Sequence, residues 1–279
     1  MKAKNYVGGQ AVIEGVMMKN SDKIVVAVRD ENGKILTKKI KIPCAESEIP
    51  FIRGLVNLYI MLSIGYKSLN FSASIFSSEE EEEGNGVWMV IGLIFSLILA
   101  VFLFKFIPLG SATYLQKWFS LSNIWFNIVD GFVKILIFIL YVYSISLFPD
   151  IKRVFEYHGA EHKTVACYED KKKLTVSNIR KYSTLHKRCG TTFIFFVLFI
   201  SIIVYVFIPA SVSFWMKLLL RLALLPLIVS ISYEVLRLGA KYRIFGFLAY
   251  PGLLIQKITT REPDDKQIEV AIKALKTVV

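Results

Sequence analysis

The apolar residues of this chain fall into two rhythms. In 87–109, 123–148, 191–209 and 214–236 they run almost unbroken, and a bilayer core of about 30 Å needs roughly 20 residues of helix. These windows predict four transmembrane helices. In 51–76 the pattern is periodic instead. Ile52, Leu55, Val56, Tyr59, Leu62, Tyr66 and Leu69 recur at helical spacing, while Arg53, Asn57, Lys67 and Asn70 interrupt the apolar surface. That predicts an amphipathic helix on the inner leaflet. A fifth span is the alternative, and it would put the lysine-rich N-terminus outside.

Shorter patterns organise the rest. In 23–42 two β-branched runs flank Asp30-Glu31-Asn32-Gly33, and Asn-Gly favours a tight hairpin turn. Ahead of it, GGQAVIEGVMM (8–18) is punctuated by glycine, so the N-terminus reads as a small cytosolic β element. EEEEE at 79–83 reads as a solvated linker leading into a helix whose start suits negative charge. At the other end, Pro263, Asp264 and Asp265 mark a helix start, and Ile268, Ala271, Ile272 and Leu275 form one stripe. The expected fold is an all-α membrane protein: four transmembrane helices, one inner-leaflet amphipathic helix, a small N-terminal β-hairpin and a cytosolic helical loop. The segments are 1–50 (β element), 51–76 (interfacial helix), 77–148 (acidic linker and first transmembrane hairpin), 149–190 (cytosolic loop), 191–236 (second transmembrane hairpin) and 237–279 (C-terminal segment).

Charge orients this layout. The 279-residue chain is 54% hydrophobic and carries a net charge of +12. Segment 149–190 holds ten lysines and arginines and 237–279 holds eight, against one in 110–122. By the positive-inside rule both termini and the central loop are cytosolic. The basic balance is then explained by topology and anionic lipid, and no nucleic-acid module is recognisable. No apolar run follows MKAKNYVGGQ, so no cleavable signal peptide is expected. Three scattered cysteines do not make a disulfide framework.

The candidate chemistry lies in the basic loop. In YHGAEHKTVACYED (157–170), His158 and His162 share a helix face with Glu161 between them. The spacing H-x-x-E-H suits two zinc-ligating histidines and a carboxylate acting on water. The third histidine, His186, stands three residues before Cys189 at the far end of the loop. His158, His162, His186 and Cys189 are therefore candidate metal ligands, with zinc the first choice and iron the second. Glu161 is the candidate catalytic base, or, in a closed four-ligand shell, a residue orienting a histidine. Glu234 and Glu14 are possible outer carboxylates. The bland alternative is two unrelated surface features.

Ionisable residues also fall inside the apolar windows. Asp130 and Lys134 lie in the second, and Arg221 in the fourth, where Pro226 should produce a kink. An Asp130–Arg221 pair would join two helices; a polar pathway is the alternative.

Several stretches together, GGQAVIEGVMM (8–18), PFIRGLVNL (50–58), YHGAEHKTVACYE (157–169), HKRCGTTF (186–193) and PGLLIQKITTREPDDKQIEVAIKAL (251–275), closely resemble the YqhQ family. Its members are bacterial multi-pass membrane proteins of uncharacterised function, described as predicted metal-dependent enzymes. The resemblance places His158, Glu161 and His162 at the HGAEH positions and His186 and Cys189 at the H-x-R-C-G positions. Lys187 stands where the family usually has proline, and Cys167 where it usually has alanine. The expected function is a membrane-bound metal-dependent hydrolase at the cytosolic face of the bacterial cytoplasmic membrane, with a lipid or membrane-protein segment as substrate. The alternative is a non-catalytic biogenesis or quality-control partner, docking a translocon or membrane protease. A transporter built on Asp130, Lys134 and Arg221 is a third reading.

Overall fold

Residues 16–18 and 24–28 are buried at every position, where a sheet with one wet face would alternate. The reason is that the sheet is covered on both sides. The computed structural model describes residues 7–76, 86–209, 211–242, 247 and 249–279. Its sheet has four antiparallel strands in the order β1 (Gly8–Val12), β2 (Gly15–Asn20), β3 (Lys23–Arg29) and β4 (Ile35–Lys39). The expected hairpin is β3–β4, turning at Gly33 with φ 82°. The glycine-punctuated stretch before it supplies β1 and β2, joined through Glu14 at φ 49°.

Helices follow: α1 (Ile52–Ser74), α2 (Gly86–Val101), a π-helical turn (Phe102–Phe106), α3 (Ile107–Phe119), α4 (Asn123–Ile145) and α5 (Pro149–Glu169). Then come α6 (Val176–Ile179), α7 (Gly190–Tyr205), α8 (Phe214–Ala223), α9 (Leu225–Lys241), α10 (Tyr250–Thr259) and α11 (Asp265–Val278). One sheet face carries Val16, Met18, Val25 and Ala27 against α5 and α11. The other carries Met17, Val26 and Val28 against Ile60 and Ile64 of α1. Asp264 caps α11 through a capping box with Gln267, and Arg29 of β3 reaches Glu269 of α11 at 2.7 Å.

The four expected spans reduce to fewer. Ile94–Phe119, continuous through the π turn, and Asn123–Ile145 are long and apolar enough to cross a membrane. A third is present only if α8 and α9, bent 46° apart, count as one broken span. Pro226 sits in the first turn of α9 beside that bend, where its ring removes a backbone donor. The window 191–209 forms only the 16-residue α7, about 24 Å long at 1.5 Å per residue, shorter than a bilayer core of about 30 Å. The fifth-span alternative fails for α1, which is not among the candidate spans.

α1 is amphipathic, and its apolar stripe faces outward. Leu55, Tyr59, Leu62, Tyr66 and Leu69 are exposed, whereas Gly54, Gly65, Ser68 and Ser72 are buried with Ile60 and Ile64. Small residues let neighbouring backbone come close: a Cβ at Gly54 would stand 2.9 Å from Tyr233 Cβ of α9. The acidic run 79–83 lies outside the described residues.

Candidate metal centre

Pro149 and Asp150 open α5, a good start for a helix because proline needs no amide partner there and the acid complements the dipole. The helix runs through the HGAEH stretch, so His158 and His162 sit one turn apart with ring centroids 4.4 Å apart. Each ring is held by a backbone carbonyl. His158 Nδ1 lies 2.9 Å from the Thr259 oxygen and His162 Nδ1 lies 2.5 Å from the Thr184 oxygen. A carbonyl only accepts, so both Nδ1 atoms carry the proton, and in the neutral rings both Nε2 atoms present lone pairs.

Those lone pairs meet the sulfur of Cys189. Cys189 Sγ is 3.2 Å from His158 Nε2, and the donor atoms of His158, His162 and Cys189 all lie within 4.8 Å of one another. Cys189 is the N-cap of α7, and the Thr191 amide donates to its sulfur at 3.4 Å. Thr191 and Thr259 hydroxyls lie 3.3 Å apart. The end of α10 that holds His158 is thereby tied to the start of α7 that presents the thiol.

Glu161 approaches from the sheet side. Its Oε2 is 3.4 Å from His162 Nε2, and the residue is 5% exposed. Gly9 of β1 makes the room, because a Cβ there would stand 2.7 Å from Glu161 Cγ. Two imidazole lone pairs, a thiol and a carboxyl group thus face one another, and the Cys189 S–H is the one donor among them, directed at His158 Nε2 or Thr191 Oγ1. Nitrogen, sulfur and oxygen donor atoms at this spacing are of the kind that could hold a metal ion.

The other expected residues fall elsewhere. His186 lies one step out: its ring is 5.5 Å from that of His162, and its Nε2 faces Glu169 at 3.8 Å. Glu169 also pairs with Arg188. Burial pushes the Glu169 carboxyl up, and the bonds from His186 and Arg188 outweigh it, holding it below the usual range. Glu234 pairs with Arg53 and accepts from the Phe51 amide at 3.1 Å, and Glu14 pairs with Arg153 and Tyr157. Neither takes the outer-carboxylate place beside the histidines. Cys167 packs into the core between α5 and α11. Asp130, Lys134 and Arg221 do meet: Arg221 pairs with Asp130, and Lys134 Nζ lies 3.1 Å from Asp130 Oδ2, all three buried.

Reading residue types missed the supports. Thr184 and Thr259 act through carbonyls, which every residue carries. Gln256 accepts from the His186 amide at 2.8 Å and donates to the His186 carbonyl at 2.8 Å and to Thr192 Oγ1 at 2.9 Å. No sequence signal singles it out, because its burial follows from the packing of α10 on α7.

Comparison with known proteins agrees with the motifs. A family model described as "Protein of unknown function (DUF1385)" matches residues 49–279. "Uncharacterized protein YqhQ" of Bacillus subtilis (strain 168) is 37% identical over 290 residues, covering 96% of this chain and 90% of that protein. No solved structure matches. The chain therefore belongs to the YqhQ family, DUF1385.

Proposed function

We propose that this chain is a membrane-embedded, metal-dependent hydrolase, with His158, His162 and Cys189 holding a divalent ion, zinc first and iron second. The observation that carries the reading is the pair of carbonyl-held Nδ1 atoms, which leaves both Nε2 atoms free to bind, His158 Nε2 at 3.2 Å from Cys189 Sγ and the donor atoms of all three residues within 4.8 Å of one another. Outer carbonyls of this kind fix ring orientation at metal sites. Three protein ligands of nitrogen and sulfur type also match a zinc centre with a position to spare.

A divalent ion there would supply a Lewis acid that polarises a carbonyl or phosphoryl oxygen. Glu161 would accept the proton of the attacking water and return it to the leaving group. Its contact with Gly9 keeps the carboxylate on the histidine side. The lysine and arginine distribution supports a cytosolic site and cytosolic termini in a bacterial cytoplasmic membrane. A lipid or membrane-protein segment is the substrate class that this placement favours.

The burial of Glu161 and His162 favours a second reading. If Glu161 closes the shell as a fourth ligand, the metal is structural and the protein serves as a non-catalytic partner of a translocon or membrane protease. One experiment separates the two. Zinc-loaded full chain in lipid nanodiscs is assayed against phospholipids, lipid esters and a membrane-spanning peptide. The hydrolase reading expects zinc-dependent turnover that Glu161→Gln abolishes while zinc is retained. Loss of the zinc itself on Glu161→Gln would support the closed shell and contradict the hydrolase.

A further inference from the structure

Every exposed apolar residue of α1 falls on one narrow seam. Ile52, Leu55, Tyr59, Leu62, Tyr66, Leu69 and Ala73 are exposed, and the steps between them alternate strictly between three and four residues. That is a repeat of about 3.5 residues, the period of helices that pack along one another. A helix that only covers a core shows a broader apolar face, with a period of about 3.6.

The rest of the helix is committed to its own chain. Gly54 meets Tyr233 of α9, Gly65 admits Gln10 of β1, and Ile60 and Ile64 fill the core beneath the sheet. Lys38 of β4 lies 5.1 Å from the Phe71 ring on the side away from the seam. The seam is thus presented by a helix already held in place, so association orders little that was not ordered before. Its size is also adequate. α1 is 23 residues long, about 35 Å at 1.5 Å per residue. Leu62 is 64% exposed, Tyr59 57% and Ile52 50%. Large apolar side chains exposed to this degree along the whole helix are of the order of the roughly 800 Å² that each partner of a standard interface buries.

We propose that α1 is a dimerisation helix, whose seam packs against the same seam of a second copy of this chain about a two-fold axis. Charge favours a second copy over a lipid surface. A helix lying on a bilayer is rich in lysine and arginine beside its apolar face. α1 has two charged residues, Lys67 and Arg53, and Arg53 is paired with Glu234. The positions flanking the seam are Val56, Ser63 and Asn70 on one side and Leu58, Gly65 and Ser72 on the other. None is charged, so two identical seams meet without like charges opposing each other.

The test uses the full chain with Cys44→Ser, which removes the exposed native thiol, reconstituted in phosphatidylcholine–phosphatidylglycerol vesicles. Leu62 lies near the midpoint of α1 and meets its counterpart whether the two helices run parallel or antiparallel. The expected result is a covalent dimer on mild oxidation of Leu62→Cys, and none from Lys171→Cys, an exposed position outside α1. In neutral detergent, sedimentation of the Leu62→Glu chain should show self-association about a hundredfold weaker than wild type, since two carboxylates then face each other across the seam. Its melting temperature stays close to that of the wild-type monomer, because Leu62 is not part of the core. Cross-linking of Leu62→Cys no greater than that of Lys171→Cys would overturn the dimer, as would equal self-association by wild type and Leu62→Glu. Quenching of a fluorophore on Leu62→Cys by brominated phospholipid, without cross-linking, would overturn it in favour of the bilayer.

Discussion

His158 Nε2 lies 3.2 Å from Cys189 Sγ, although the two residues are 31 positions apart in the chain. The contact joins the middle of α5 to the first turn of α7, and it is made possible by two carbonyls, from Thr259 and Thr184, that orient the histidine rings. The donor groups of the site come from two parts of the chain, α5 and the start of α7, and their mutual approach is what a cation would stabilise.

Gly159 is the point where this assembly is most sensitive. A Cβ there would collide with the Arg261 carbonyl and come within 3.2 Å of Thr184 Cγ2. Gly159→Ala must push away the segments that carry both anchoring carbonyls. The expected loss is about 1–3 kcal/mol of stability, together with metal affinity weakened about 10- to 100-fold. Thermal melting and competition with a zinc chelator measure the two effects.

Asp130 serves two cations at once, Arg221 and Lys134. Asp130→Asn leaves both without a carboxylate, whereas Lys134→Met leaves the Arg221 pair intact. The first substitution should cost about 3–5 kcal/mol, as broken buried pairs do, and the second clearly less. Unfolding in mixed detergent reads the order, which a purely additive helix-packing role would not produce.

Tyr157 tests the seam between α5 and the sheet. Its hydroxyl donates to Glu14 Oε2 at 3.2 Å. Burial, and then the nearby Glu14 carboxylate, push its phenol above the ordinary value. A raised phenol favours the protonated form in the fold. Its contribution to stability is therefore complete below pH about 10, the unfolded value, and fades as pH rises through the higher folded value. The stability advantage of wild type over Tyr157→Phe should shrink above pH about 10, with the sign reading as loss on alkalinisation.

Much of this was legible in residue patterns, for physical reasons. The H-x-x-E-H spacing places three side chains on one helix face whatever the surrounding fold. The turn signal at Asn32-Gly33 and the cap at Asp264 are local, so they survived intact. The span count did not, because apolarity alone does not measure helix length: window 191–209 breaks after Tyr205, and 214–236 bends beside Pro226. The outward stripe of α1 was legible as amphipathic, but its packing face depends on Gly54 and Gly65 meeting partners far away in sequence. His186 looked equivalent to the other histidines because spacing does not reveal Glu169 waiting beside its ring.

The central claim is that His158, His162 and Cys189 share one divalent ion. Zinc content of the detergent-purified full chain, followed by cobalt substitution, tests it most directly. The account predicts about one equivalent of zinc per chain. It also predicts a near-ultraviolet thiolate-to-cobalt band that disappears in Cys189→Ser, metal loss in His158→Ala and His162→Ala, and metal retention in His186→Ala. A wild-type chain that takes up neither zinc nor cobalt after reconstitution would contradict it, as would a cobalt spectrum unchanged by Cys189→Ser.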